Sequence, residues 1–440
     1  MDKLLLKSIK YILQHILNQY VMFKISAFTC LIFLFFGCTA SKFKQAQPKF
    51  DEGVYENQFT GLLIIDPKTK DTIVAKNAAK YFIPASTTKL FTFYTANKIL
   101  NAKLPSLKYA ERKDTIYIQG TGDPSWLHPH LKDTTAIDFL RKTKKNIILD
   151  LNNFKDKKYR PGWAWEDYQY YFSPELGPIP FYGNVVTIHE TDSLKVLPNN
   201  FINAINRGKE NELRKFDKNK FVIPNSLNDT LEIPFITSHK LTKTFIEQKL
   251  NKKVLLAKSL PHTPKKVLYG IATDSIYKRM LHNSDNFIAE QLMLVISSTL
   301  SDTLSFNTAK NYILENDLSD IKQHPRWVDG SGLSRYNLFT PESMVAVLQK
   351  MYDEIDNKRL FALLPAWNGN GTVLKPKAID NHFIYAKSGS MGNIYNLCGY
   401  LKTKSGKIFI FSFMNNHFRT SAKEIRFNMD KTLTLIHNSY

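Results

Sequence analysis

A chain of 440 residues is too long for one compact core and predicts a large domain carrying an insertion. Its 43% hydrophobic and 22% charged residues are ordinary for a globular protein and argue against a disordered or low-complexity chain. The net charge of +21 comes mostly from lysine spread along the sequence, without the compact basic cluster and interleaved aromatics that would predict a nucleic-acid partner. Such a surface suits anionic polymers or lipid head groups, and a lysine-rich proteome explains it equally well.

The chain begins with an extension and an apolar segment. Met22-Phe23-Lys24 opens a short basic region, and Ile25 to Phe36 is almost wholly apolar, ending at Phe35-Phe36-Gly37-Cys38. The segment is shorter than the roughly 20 residues that span a bilayer. It resembles a bacterial lipoprotein signal, with Phe35 where leucine is usual and Cys38 as the residue that carries lipid. On this reading residues 1–38 are extension and signal, with residues 1–21 either an over-long start or an amphipathic helix. Residues 39–57 form a polar tether. Cys30 then leaves with the signal, Cys38 is lipidated, and Cys398 stands alone in a core strand with no internal disulfide.

Gly61-Leu62-Leu63-Ile64-Ile65-Asp66, a turn at Pro67-Lys68-Thr69-Lys70 and Asp71-Thr72-Ile73-Val74 predict a β-hairpin. Pro84-Ala85 then introduces Ser86-Thr87-Thr88-Lys89, followed by the apolar run Leu90 to Tyr94. This pattern predicts a helix with Ser86 at its N-terminus and Lys89 one turn later on the same face. Free N–H groups and the positive end of the helix dipole would sit beside the Ser86 hydroxyl.

The stretch from 126 to 262 reads as an inserted, strand-rich segment, with Phe221-Val222-Ile223 and Leu231-Glu232-Ile233 as sample strands. Trp163, Trp165, Tyr168, Tyr170, Tyr171 and Phe172 lie within it; packing explains most of these rings, with one or two left to line a cleft. His128-Pro129-His130 is its best metal-like pair but lacks partner spacing and reads as loop, so neither a metal nor another cofactor is expected.

Beyond it, Ile276, Met280, Leu281, Phe287, Ile288, Leu292, Met293 and Ile296 recur at helical spacing. Ser284-Asp285-Asn286 therefore falls within or between helices of an all-helical lobe. Thr340-Pro341-Glu342 begins another helix. Strand-like His382 to Ala386 leads into Lys387-Ser388-Gly389, and Ile394–Lys402 and Ile408–Met414 read as strands around a turn at Lys404-Ser405-Gly406. The hairpin, the Ser86 helix and these last strands predict an antiparallel sheet flanked by helices.

Three motifs thus stand in order: S-x-x-K at Ser86, S-x-N at Ser284 and K-S-G at Lys387, a set used by serine acyl-enzymes with lysine as base. Each is weak alone, because S-x-x-K recurs at Ser41, Ser275 and Ser319, S-x-N at Ser226 and Ser305, and K-S-G at Lys404. Only the Ser86 set has the helix entry and the strand that such a site needs.

With these motifs the chain resembles low-molecular-weight penicillin-binding proteins of the D-alanyl-D-alanine carboxypeptidase/endopeptidase type. The predicted hairpin, Gly120-Thr121-Gly122-Asp123-Pro124, Gly162 to Asp167, Asp329-Gly330-Ser331-Gly332-Leu333-Ser334-Arg335, and Leu364-Pro365 followed by Gly369-Asn370-Gly371-Thr372 extend the likeness. Ser388 stands where that family more often has threonine; either supplies a hydroxyl.

The resemblance implies an α/β (α+β) fold, penicillin-binding-protein/β-lactamase-like, with residues 58–125 and 263–440 as catalytic domain and 126–262 inserted. It implies a serine peptidase of peptidoglycan stem peptides, acting on the terminal D-Ala-D-Ala bond, on cross-links, or on both. β-Lactams would be covalent inhibitors, and a lipid anchor would hold the protein on the periplasmic side of a membrane.

Lysine in water titrates near ~10.4 and is the wrong base at neutral pH. Burial and the nearby cation of Lys387 would lower Lys89, which would then accept the Ser86 proton. Ser284 would bridge Lys89 and the leaving amine, and Asn286 would hold Lys89 and a substrate amide. Lys387, Ser388 and Gly389 would bind the terminal carboxylate, and the N–H groups of Ser86 and Ser390 would form the oxyanion hole. The alternatives are a serine β-lactamase, whose E-x-x-N pattern matches Glu354/Asn357 at a helix end, and a non-catalytic lipoprotein that senses β-lactam or muropeptide. No G-x-S-x-G elbow is present.

Overall fold

The computed structural model describes residues 50, 52–208, 212–257, 260–261, 263–367 and 383–440. Cys38, the predicted signal, most of the tether, Gly369 to Thr372 and His382 lie outside them. The tether's last part belongs to the fold, since the rings of Phe50 and Tyr55 both pack against Phe413.

β1 (Phe59–Ile65) and β2 (Thr72–Lys76) form the predicted hairpin. Leu62 and Ile64 join one hydrophobic core and Leu63 another, the two-residue period of a strand buried on both faces. A 3-10 turn, Ala85–Thr88, leads into α1 (Lys89–Ile99). Next come β3 (Lys103–Arg112), β4 (Thr115–Gly120), α2 (Thr135–Lys142) and β5 (Asn146–Asp150). They are followed by β6 (Val185–Glu190), β7 (Leu194–Leu197), β8 (Ile205–Arg207), β9 (Phe221–Ile223) and β10 (Leu231–Pro234). α3 (His239–Leu250), β11 (Val254–Leu256) and β12 (Lys266–Ala272) complete this part.

The chain then forms α4 (Thr273–His282), α5 (Asn286–Leu300), α6 (Phe306–Glu315), α7 (Pro341–Glu354) and α8 (Asn357–Leu363). β13 (Ala366–Trp367), β14 (Ile384–Met391), β15 (Ile394–Lys402), β16 (Ile408–Asn416) and α9 (Ala422–Ser439) close it.

The main sheet has the order β13-β14-β15-β16-β1-β2, every pair antiparallel. Phe409, Phe411 and Phe413 share a core with Ile425, Met429, Leu433 and Ile436 of α9, while Cys398, Tyr400 and Ile410 join the helical core on the other side. In α5, residues Phe287 to Ser298 are all buried, so the helix runs through the middle of its lobe. The fold is the predicted sheet with flanking helices and an all-helical lobe.

A second sheet, β11-β5-β4-β3-β12, has its own core with α2 and α3. It extends beyond the expected 126–262 at both ends, because β3 and β12 pair across the whole intervening chain, Leu107 opposite Leu268. No local pattern reports that pairing.

Candidate active site

Ser86 sits in the 3-10 turn rather than at the start of the regular helix, which begins at Lys89. Ala85 has φ +48, a left-handed conformation costly for a residue with a Cβ. Its neighbours hold it there. Asn396 of β15 donates to the Ile83 and Pro84 carbonyls at 2.9 and 2.8 Å, and Ile83 N donates to Asn416 Oδ1 of β16 at 2.7 Å. These buried asparagines in apolar strands carried a sequence signal, polar residues where only apolar ones were needed, that the motifs alone did not include.

Lys89 follows one turn later and is fully buried. Its Nζ donates to Ser86 Oγ at 3.0 Å, Asn286 Oδ1 at 2.7 Å and Ser331 O at 2.7 Å. Burial pulls its ammonium down to about 8, against Asp329, Asp285 and Glu290, whose charges hold it up.

The Ser331 carbonyl is aimed by a clamped loop. Asp329 Oδ1 accepts from Gly332 N at 2.8 Å and Asn337 Nδ2 at 2.7 Å, while Oδ2 accepts from Ser334 N at 2.6 Å and Trp163 Nε1 at 2.9 Å. Buried Glu290 of α5 accepts from Ser331 N at 2.8 Å, and its other oxygen takes Arg160 Nε at 3.0 Å. A Cβ on Gly332 would stand 1.9 Å from Ala85 O, so only glycine lets this loop touch the nucleophile turn.

β14 covers the turn from the other side. A Cβ on Gly389 would lie 2.5 Å from Pro84 O and 2.9 Å from Ser86 N. Lys387 is buried, and its Nζ donates to Ser388 O at 2.7 Å. Burial first and the Lys89 charge second push it well below lysine's usual range.

Ser284, with φ +55, occupies the break between α4 and α5, where Asp285 caps α5 by accepting from Ile288 N. Asn286 Nδ2 donates to Phe172 O at 3.0 Å, so one of its two amide N–H groups is engaged within the protein. Ser86, Ser284, Asn286 and Ser390 line one cavity of about 450 Å³. Its far wall adds Asp167, Tyr171, Phe172, Arg279 and Arg335. The residues 128 and 130 are there too: His130 Nε2 meets Glu232 Oε1 at 3.1 Å, and burial lowers His128 to about 4.

The motif decoys lie elsewhere. Ser275 is on α4, Ser319 Oγ donates to Asn316 O, and Ser405 Oγ pairs with Thr403 in the β15–β16 turn. Glu354 accepts from Tyr94 OH and Lys98 Nζ and does not line the cavity. Cys398 is buried beside Ser412 Oγ at 3.2 Å, and burial pushes its thiol up to about 12, so it is core. Among the described residues no cluster of His, Cys, Asp and Glu is placed to hold a metal ion.

The sequence model of the D-Ala-D-Ala carboxypeptidase 3 (S13) family matches residues 48–207 and 238–435. D-alanyl-D-alanine carboxypeptidase DacB of Haemophilus influenzae is 23% identical over 419 residues, covering 82% of this chain and 86% of that protein. Penicillin-sensitive carboxypeptidase A of Dictyostelium discoideum is 23% identical over 404 residues, 74% of this chain and 75% of its own. The crystal structure of penicillin binding protein 4 from H. influenzae superposes with a TM-score of 0.69 at 19% identity, over 91% of this chain and 99% of that one. The same protein complexed with a β-lactam gives 0.62 at 20% identity, over 90% and 99%.

Proposed function

The chain belongs to the D-Ala-D-Ala carboxypeptidase 3 (S13) family and is a serine peptidase of peptidoglycan; on that premise we propose that Ser86 is its nucleophile and Lys89 the base that activates it. The observation that carries this is one hydrogen bond, from a buried lysine whose ammonium is drawn down to about 8, to a serine hydroxyl 3.0 Å away.

Neutral Lys89 takes the Ser86 proton as Oγ bonds to the carbonyl carbon of the penultimate D-alanine. The backbone N–H groups of Ser86 and Ser390 receive the developing oxyanion. The C–N bond breaks, the proton passes through Ser284 to the departing amine, and an ester on Ser86 remains. Water then hydrolyses the ester and returns the proton to Ser86. Lys387 and Ser388 hold the terminal carboxylate, whose charge favours the ammonium form of Lys387. The leaving group is D-alanine from a stem peptide or the amine of a cross-link.

β-Lactams enter by the same attack and stay as esters. Glu354 is engaged by Tyr94 and Lys98, which disfavours the β-lactamase alternative, and a lysine bonded to the serine disfavours a pure sensor. Cys38, as a lipid anchor, keeps the enzyme at the membrane surface on the periplasmic side, facing the wall; no helix among the described residues is long and apolar enough to cross a membrane. Muropeptides incubated with the protein and analysed by mass spectrometry should lose D-alanine or resolve into monomers, and Ser86→Ala should do neither. Unchanged muropeptides with the wild type would overturn the reading.

A further inference from the structure

The segment that lines the cavity at Asp167, Tyr171 and Phe172 also carries exposed aromatic rings that the acyl-enzyme chemistry does not use. Trp165 is 75% exposed, Phe216 65% and Tyr171 64%, which is unusual for rings of this size near one another. The rings are held rather than loose. Phe216 lies edge-on to Trp165 at 6.4 Å and to Tyr168 at 5.2 Å. Beneath them, Tyr168 OH donates to Arg214 O at 3.1 Å, Arg214 donates back to Tyr168 O at 3.2 Å, and Leu213 N donates to Gln169 Oε1 at 2.8 Å. Asp167, Tyr171 and Phe172 of the same segment line the cavity, and Tyr171 packs edge-on against Phe172 at 5.6 Å.

We propose that Trp165 and Phe216 form a glycan subsite that takes the sugar end of the peptidoglycan strand while its peptide occupies the catalytic cavity. The inference rests on the proposed peptidase function. A stem peptide hangs from muramic acid by its N-terminus, so the chain that enters with its C-terminal D-alanine toward Ser86 trails a sugar behind it. Four extended residues reach about 13–14 Å, which sets the sugar up to that far from Ser86. An exposed aromatic face stacks against the apolar C–H face of a pyranose, and carboxylates beside it accept from the hydroxyls. Glu166 and Asp167 follow Trp165 directly, and Glu212 is exposed four residues before Phe216, which lies in a turn.

The test uses the full chain and two peptide substrates, a pentapeptide and a cross-linked dimer, each prepared with and without its disaccharide. The wild type should favour the disaccharide forms in kcat/KM by about tenfold. Trp165→Ala with Phe216→Ala should bring that ratio near one and leave the rate on free peptides and the melting temperature unchanged, because both side chains are mostly exposed. A wild-type ratio of one, or a ratio that survives the double substitution, overturns the subsite. If the wild type cleaves none of the substrates, the peptidase reading fails separately. Sedimentation with peptide-free glycan strands then decides: binding by wild type alone supports the subsite, and binding by both proteins or by neither overturns it.

Discussion

Lys89 Nζ stands 3.0 Å from Ser86 Oγ, and its acceptors among the described residues are all uncharged: a hydroxyl, the Asn286 amide and the Ser331 carbonyl. Asp329, Asp285 and Glu290 act on it only through space. Neutral acceptors stabilise an ammonium less than a bonded carboxylate would, so burial prevails and the lysine can lose its proton near physiological pH.

That arrangement predicts the pH profile of acylation. Below about 8 Lys89 is charged and cannot accept a proton; as pH rises through that value the neutral amine accumulates and the rate climbs to a plateau. Stopped-flow acylation by a fluorescent penicillin should trace this limb. Lys89→Arg cannot be deprotonated and should be as inactive as Lys89→Ala. A midpoint near that of free lysine, or an active arginine variant, would assign the base elsewhere.

Covalent labelling tests the nucleophile against its decoys. Ser86→Ala should abolish labelling by fluorescent penicillin on a denaturing gel. Ser275→Ala, Ser319→Ala and Ser405→Ala should label like the wild type, because those serines lie on α4, in a turn after α6 and in the β15–β16 turn. Labelling that persists without Ser86 would remove it from the mechanism.

What the sequence made legible was local. The apolar runs of β1, β15 and β16 and the Thr340-Pro341 helix start are written in neighbouring residues, and Thr340 does cap α7 by accepting from Ser343 N. The order of three motifs similarly pointed to Ser86, Lys89 and Asn286, and Lys89 Nζ hydrogen-bonds to both of the others. The extent of the second sheet was not legible, since Leu107 finds Leu268 only through the fold. Nor was the third acceptor of Lys89, because a backbone carbonyl has no residue identity; Ser331 holds its place through Glu290, one residue among many in an apolar helix.

Lipidation at Cys38 has its own experiment. Radiolabelled palmitate should enter the wild-type protein, and Cys38→Ala should lose both the label and signal cleavage. One acyl chain anchors only marginally, whereas the three expected at a bacterial lipoprotein terminus should keep the protein in the membrane fraction through salt washing. Unlabelled wild type in the soluble fraction would make residues 22–38 a plain secretory signal.

The Arg160–Glu290 pair should be costly to break. Arg160 and Glu290 are both buried, so Arg160→Ala leaves the Glu290 and Asp156 carboxylates without their shared cation and should destabilise the protein by about 3–5 kcal/mol in urea unfolding. Lys98→Ala, which removes a partly exposed pair with Glu354, should cost about 1 kcal/mol or less. Arg160→Met combined with Glu290→Met should recover much of the stability but not acylation, since Ser331 N has lost its acceptor. Full acylation by the double methionine variant would show that Glu290 has no part in aiming the Ser331 carbonyl.

Gly389 tests how closely the β14 backbone must approach the nucleophile. An added Cβ would stand 2.5 Å from Pro84 O and 2.9 Å from both Ser86 N and Thr87 N. These are backbone atoms of a turn already pinned by Asn396 and by the left-handed Ala85, so no flexible side chain can absorb the clash. Either β14 shifts outward or the Ser86 turn shifts inward, and both separate Lys387 and Ser388 from the serine they work with. A displacement near 1 Å costs about 100-fold in rate when the reacting geometry is exacting. Gly389→Ala should therefore lower penicillin acylation by about that factor, while Gly406→Ala, whose added Cβ meets nothing within 4 Å but whose φ is +86, should reduce stability and leave acylation intact. Equal acylation by Gly389→Ala and wild type would mean that β14 does not set the geometry at Ser86.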